Sequence, residues 1–292
     1  MLNNIQLMGC GYIGKKIAHR LDPEENNLTC FVQSETSKKI CRSAGLNCFK
    51  FDLDDSDFKL TAKTHSSFEK SVIAYLVPPQ PRGASDNRMQ TFISMLNKLI
   101  ESPEKILLIS TTGVYGNCHG EWIDEMRPAN PQVDRARRRL SAEVLLKKYC
   151  EKNKVQLIIF RVPGIYAVDK LPIKRISSGE PIVNAQDSGY TNRIHADDLV
   201  SFCVEAIIEK VQSGIYNCCD GQPSTMNDYF MKVADAMKLP RPQEISLQQA
   251  QQQLSAGMLS YLAESKRISN KKLVSHFKTQ FNYPDLNTGL KK

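Results

Sequence analysis

Short apolar runs and helical-period patterns alternate through the first half of the chain. Ile5 to Met8 is an apolar run that predicts a buried strand, followed by a glycine-rich turn and a helix over Lys15–Leu21. Leu28–Val32 reads as a second strand with a helix from about Ser37 to Ala44 behind it. Cys48–Phe51 reads as a third strand, ending in the acidic turn Asp52-Leu53-Asp54-Asp55. Ser71–Val77 is a fourth, stopped by Pro78-Pro79. Met89, Phe92, Ile93, Leu96, Leu99 and Ile100 fall at helical spacing, and Ile106–Ile109 gives a fifth strand that ends in Ser110-Thr111-Thr112. A long helix over Arg135–Lys152 and a sixth strand over Val155–Val162, closed by Pro163-Gly164, complete the series. Strands alternating with helices argue an α/β protein: a doubly wound parallel sheet with helices on both faces.

After residue 163 the rhythm changes. Residues 164–192 are short, Gly/Pro-punctuated pieces, Asp197–Lys210 reads as a helix and Gly214–Cys218 as a strand. From Pro223 onward the pattern is mostly helical, with Gln248–Leu254 read as a solvated helix face. The expected division is therefore a nucleotide-binding domain of residues 1–163, to which 193–219 return, and a smaller C-terminal substrate domain of 164–192 and 220–292.

Composition narrows the setting. At 292 residues, with 41% hydrophobic and 24% charged positions, the chain can bury a full core. No apolar run reaches bilayer length, and a strand and glycine loop occupy the positions of a signal peptide, so a cytoplasmic location without a membrane partner is expected. Nine cysteines without CxxC spacing read as buried thiols rather than a disulfide framework. Cys118-His119 lacks partners at ligand spacing, so no metal site is assigned. The net charge of +8 is mild, and basic residues are not interleaved with aromatics, so nucleic acid is not an expected partner. A small molecule bearing phosphate accounts for the charge as well.

The chemistry starts at Met8-Gly9-Cys10-Gly11-Tyr12-Ile13-Gly14, a Gly-x-Gly-x-x-Gly loop between strand and helix. Gly9 allows a tight turn, Gly11 allows backbone to approach a pyrophosphate, and Gly14 allows helix to pack on strand. The helix start, with Tyr12 and Ile13, offers unpaired N–H groups to the phosphates. At the end of the second strand stand Gln33 and Ser34, where NAD binders place an acid for the ribose. Lys38, Lys39 and Arg42 follow, which favours NADP over NAD.

Ser110-Thr111-Thr112-Gly113-Val114-Tyr115-Gly116 resembles the Ser-Ser/Thr-x-x-Val-Tyr-Gly segment of the extended short-chain dehydrogenase/reductase superfamily, in its nucleotide-sugar epimerase and dehydratase branch. Glu121–Glu125 with Pro128 and Pro131 is similar to that branch's acidic loop. Arg161–Tyr166 is similar to its sixth-strand exit, and Arg193-Ile194-His195-Ala196-Asp197-Asp198-Leu199 to its Arg-x-x-His-x-Asp-Asp helix start. The resemblance implies a Rossmann fold binding NAD or NADP. It also implies cofactor contacts from Asp52, Leu53, Leu76 and Pro163, with a turn-forming role as the alternative for Asp52. Pairing of two copies through a bundle that includes the Arg135 helix is a family habit, so a homodimer is a further implication.

One departure matters. The superfamily's acid is a tyrosine four residues before a lysine, and aligning Leu140-Ser141-Ala142-Glu143 puts Arg135 and Arg139 at those positions. The one Tyr-x-x-x-Lys, Tyr12 to Lys16, lies inside the glycine loop. The chain thus resembles most the atypical, epimerase-like group that lacks the tyrosine. Guanidinium does not act as a general acid. Candidates for the proton are Tyr115, Tyr166, His195 and water, each side chain with a structural role as its alternative. Thr111 is expected to hydrogen-bond the reacting oxygen, Arg139 the cofactor ribose and Arg135 an anionic group on the substrate. Arg137 and Arg138 read as solvent-facing, with Asp134 offsetting cations placed against the helix dipole. The function expected is an atypical NAD(P)-dependent oxidoreductase or epimerase-like enzyme acting on a small hydroxyl or carbonyl compound of nucleotide-sugar type. The competing reading is a catalytically silent NAD(P)-binding sensor or interaction protein.

Overall fold

In the computed structural model, residues 3–55 and 61–291 are described. Seven strands form the central sheet: β1 Asn3–Met8, β2 Asn26–Val32, β3 Cys48–Lys50, β4 Val72–Tyr75, β5 Lys105–Thr111, β6 Gln156–Val162 and β7 Gly214–Asn217. Their order is β7-β6-β5-β4-β1-β2-β3. From β3 through β2, β1 and β4 to β5 every neighbouring pair is parallel. The chain therefore runs outward from β1 to β3, then returns to β4 on the other side of β1. That reversal makes the β1/β4 boundary a topological switch point, where such sheets bind ligands beyond the strands' carboxyl ends. The register pairs Met8 with Phe31 on one side and Tyr75 on the other, so the exits of β1, β2 and β4 lie together.

Helix α1 (Tyr12–Arg20) follows the glycine loop directly and has no side-chain cap. Helix α2 (Glu35–Ser43) begins where a polar side chain satisfies an open amide: it is capped by Ser34, whose hydroxyl accepts from the Ser37 amide. After the short α3 (Ala62–Ser66), α4 (Asn87–Leu96) is capped by Asp86, which accepts from the Met89 amide at 2.9 Å. Helix α5 spans Asp134–Asn153. Sequence periodicity overshoots α4: Ile100 lies beyond the helix end and is 92% exposed.

The described chain divides into two compact units. The first holds Met1–Val114, Asp134–Arg161 and Val200–Tyr216. Its core includes a chain of aromatic contacts, with Phe31 on Phe68 at 5.0 Å and Tyr75 on Phe92 at 4.8 Å. The second holds Tyr115–Val133, Val162–Leu199 and Asn217–Lys292. It is built from very short strand pairs, among them Trp122–Ile123 with Arg267–Ile268 and Ile182–Val183 with Glu244–Ile245. The core there is formed by Tyr166, Ile176, Phe230, Val233 and Leu286 with their neighbours.

This division differs from the sequence expectation at residues 115–133, 162–163, 193–199 and 217–219. Residues 115–133, expected in the nucleotide domain, pack in the second unit. Tyr115 donates to Asn217 Oδ1 at 2.8 Å, Glu125 accepts from the Asn217 amide at 2.7 Å, and Trp122–Ile123 pair with 267–268. Residues 193–199 also belong there, because Arg193–His195 pair in register with Gly164–Tyr166. Among the described residues, no helix is long and apolar enough to cross a membrane. All nine cysteines are buried thiols.

Candidate functional site

The three glycines of the loop differ in what surrounds them. Gly9 adopts φ +88°, and a Cβ there would lie 2.9 Å from the Val77 nitrogen, so β1's exit can meet β4's only without a side chain. A Cβ on Gly14 would lie 2.8 Å from the Gly9 carbonyl and 3.0 Å from Leu7 Cδ2, which lets α1 sit directly on β1. At Gly11 nothing lies within 4 Å of the Cβ position. Two glycines are thus needed by the fold, and Gly11 leaves open space before the first turn of α1. That space is what an approaching pyrophosphate needs.

A groove of about 260 Å³ opens beside this loop. Its walls are Gly9 and Gly11, the apolar side chains of Phe31, Phe51, Leu53 and Leu76, and the polar Gln33 and Arg88. An apolar slot flanked by bare backbone suits an adenine with its pyrophosphate. The residues present therefore fit a dinucleotide. Of the predicted contacts, Gly9, Gly11, Gln33, Leu53 and Leu76 line the groove. Tyr12 and Ile13 occupy the start of α1, where the Lys16 ammonium lies 5.5 Å from the Tyr12 ring. Ser34 is used as the α2 cap, and Pro163 belongs to the second unit.

Sequence reading missed the network at the rim. Gln33 Nε2 donates to Asp52 Oδ1 at 3.2 Å and to Asp54 Oδ2 at 3.1 Å. Arg88 grips Asp54 with Nε at 2.7 Å from Oδ1 and a second contact to Oδ2, and donates to the Pro78 carbonyl at 2.9 Å. The hydrogen bond from Arg88 holds the Asp54 carboxyl below its ordinary pKa. These partners come from four separate segments, so no local pattern announces them. Of the basic residues that favoured NADP, Lys38 pairs with Glu35 at 3.0 Å and Arg42 Nε donates to the Cys48 carbonyl, while Lys39 is exposed.

Thr111 ends β5, half-buried, with its hydroxyl accepting from the Gly113 amide at 3.2 Å, so its proton remains available to donate. A Cβ on Gly113 would meet Ala136 Cβ at 3.6 Å, which puts the first turn of α5 against this exit. Arg135 and Arg139 are one turn apart on that helix. Arg139 donates to the Val77 carbonyl at 3.1 Å, at a residue that also lines the groove. Burial pushes the Arg139 pKa below its ordinary value, against the pull of Asp86, Tyr75 and Glu143. Arg138 corrects the expectation of a solvent-facing pair: it is buried and donates to the Gly83 carbonyl at 2.6 Å, tying α5 to the loop before α4. Arg137 is half-exposed and pairs with Asp134 at 2.7 Å.

Each side chain considered as an alternative proton source is engaged in a hydrogen bond. Tyr115 is 1% exposed and spends its hydroxyl proton on Asn217. Tyr166 is buried, donates to the Asp285 carbonyl at 3.1 Å, and has its pKa raised by burial. His195 is buried beneath Tyr283, with ring centroids 3.7 Å apart, and its Nδ1 accepts from the Asp197 amide. The same unit holds Asp220, whose carboxyl burial pushes up to about 7.

Residues 7–219 match the NAD dependent epimerase/dehydratase family, and the chain belongs to that family. Among solved structures it is similar to a conserved protein of unknown function from Silicibacter pomeroyi (20% identity, TM-score 0.80, covering 98% of this chain and 96% of that one). It is likewise similar to the UDP-glucuronic acid 4-epimerase of Bacillus cereus in complex with NAD (14% identity, TM-score 0.74, 98% and 96%). The UDP-glucose 4-epimerase of Thermotoga maritima with UDP-glucose also aligns (15% identity, TM-score 0.77, 98% and 96%). At these identities the likeness establishes the fold. No curated protein sequence matches the chain.

Proposed function

We propose that this chain is an NAD-dependent oxidoreductase of epimerase-like chemistry that works without its family's tyrosine acid. Its substrate is a small hydroxyl or carbonyl compound of nucleotide-sugar type with an anionic group. The observation that carries this reading is Arg139: its guanidinium is fixed on the Val77 carbonyl at the margin of the groove, one turn from Arg135 on the helix beside Thr111. When bound, a nicotinamide supplies a centre that accepts and returns hydride. Thr111 donates to the reacting oxygen, Arg139 holds the cofactor's ribose hydroxyls, and Arg135 binds the substrate's anionic group. Neither arginine gives up a proton at neutral pH, so proton exchange falls to water or to the substrate's own groups. NAD is preferred over NADP in this reading, because Lys38 and Arg42 are engaged elsewhere.

The second reading, a silent NAD-binding sensor, is favoured by the engagement of Tyr115, Tyr166 and His195 in buried hydrogen bonds. Incubation with NAD and UDP-glucose or UDP-glucuronic acid, followed by sugar analysis, separates the two. Turnover that disappears in Thr111→Val while NADH affinity stays within about twofold supports the enzyme. Unchanged turnover in Thr111→Val removes the role of Thr111. Binding of NADH with no conversion of either sugar favours the sensor.

A further inference from the structure

We propose that cofactor choice is set by a three-residue strap, Gln33, Asp54 and Arg88, which closes the ribose end of the groove and selects NAD against NADP; this rests on the dinucleotide reading of that groove. Dinucleotide folds select NAD with a carboxylate at the end of the second strand, where it accepts from the ribose 2′-hydroxyl. Here that position holds the neutral Gln33. Its Nε2 faces Asp52 and Asp54 at 3.2 and 3.1 Å, and two carboxylates can only accept, so the amide orientation is fixed. The Gln33 carbonyl oxygen is thereby left as an acceptor, which suits a hydroxyl and repels a phosphate.

Charge acts in the same sense. Arg88 is the charged side chain lining the groove, and it is 12% exposed while its partner Asp54 is 39% exposed. Its guanidinium is committed to both Asp54 oxygens and to the Pro78 carbonyl. Within the hydrogen-bond network of Gln33, the charges of Asp52, Asp54 and Arg88 sum to one negative charge. A 2′-phosphate, carrying about −1.5 to −2 charges, would be placed against it. The guanidinium that could have met that phosphate is held by Asp54 instead.

The test is calorimetric titration of wild type, Asp54→Asn and Arg88→Gln with NADH and with NADPH. Wild type is expected to bind NADH more tightly. Asp54→Asn frees Arg88 and cancels the net charge, so the NADPH-to-NADH ratio of dissociation constants should fall about tenfold, the scale of one unit charge in contact range at a surface. Arg88→Gln leaves two uncompensated carboxylates, so the ratio should rise. A strap that merely holds β3's exit to α4 would weaken both cofactors in parallel, and that result overturns the proposal. Wild-type preference for NADPH overturns it too. If wild type binds neither cofactor, the dinucleotide reading fails and this inference with it. If wild type binds NADH but the ratio is the same in all three proteins, only the strap's role fails. Thermal midpoints of the two variants confirm that each titrated protein is folded.

Discussion

Arg161 and Glu143 form a buried ion pair between β6 and α5, with 2.7 Å between Nη2 and Oε2 and both side chains 5% exposed. The Ser110 hydroxyl donates to the other carboxylate oxygen. Ser110 immediately precedes Thr111, so one carboxylate fixes the exit of β5 against the helix that bears Arg135 and Arg139. Glu143→Ala would strand a guanidinium without its counter-charge, a loss of about 3–5 kcal/mol. Urea unfolding measures this; a loss below about 1 kcal/mol would mean that the pair does not hold the two elements together.

The glycines should separate by stability. Ala at Gly9 meets both a positive φ and the Val77 backbone, and Ala at Gly14 meets the Gly9 carbonyl. Each should cost about 1–3 kcal/mol. Gly11→Ala enters open space and should leave the unfolding midpoint unchanged. Equal destabilisation at all three positions would contradict this assignment of roles.

Tyr115→Phe tests the structural reading of that tyrosine. Losing its bond to Asn217 leaves a buried amide oxygen short of a donor, a cost of about 1–3 kcal/mol. NADH affinity should not change. A turnover loss of about a thousandfold without a stability change would restore Tyr115 as the proton source.

Asp220 should make the protein less stable as pH rises. Burial raises its carboxyl from an unfolded value near 3.8 to about 7, partly opposed by the Gln222 amide bond and Arg193. Below pH 3.8 both states hold the proton and the contribution is complete; between 3.8 and about 7 the unfolded state ionises first, so stability falls. Asp220→Asn should flatten the unfolding free energy across that window. An unchanged slope would show that another group governs it.

Much of the fold was legible because its signals are local. Each strand of the central sheet up to β6 is an apolar run, and the Gly-x-Gly-x-x-Gly loop states its own backbone requirements within six residues. The helical phase of Arg135 and Arg139 was equally readable, since positions four apart share a face. Arg138 was misread because its partner, the Gly83 carbonyl, is 55 positions away. The Gln33–Asp54–Arg88 strap spans a similar sequence distance, so Gln33 is legible from its place after β2 while Asp54 and Arg88 look like ordinary surface residues one at a time. In the second unit the pairing strands are two or three residues long, too short for periodicity to register.

The central claim is that the groove beside Gly11 holds a dinucleotide, and titrating wild type and Gly11→Val with NADH addresses it most directly. The account predicts saturable binding by wild type, and at least about a tenfold loss in Gly11→Val at an unchanged unfolding midpoint. Absence of binding by wild type, or equal affinity in the two proteins, would contradict it.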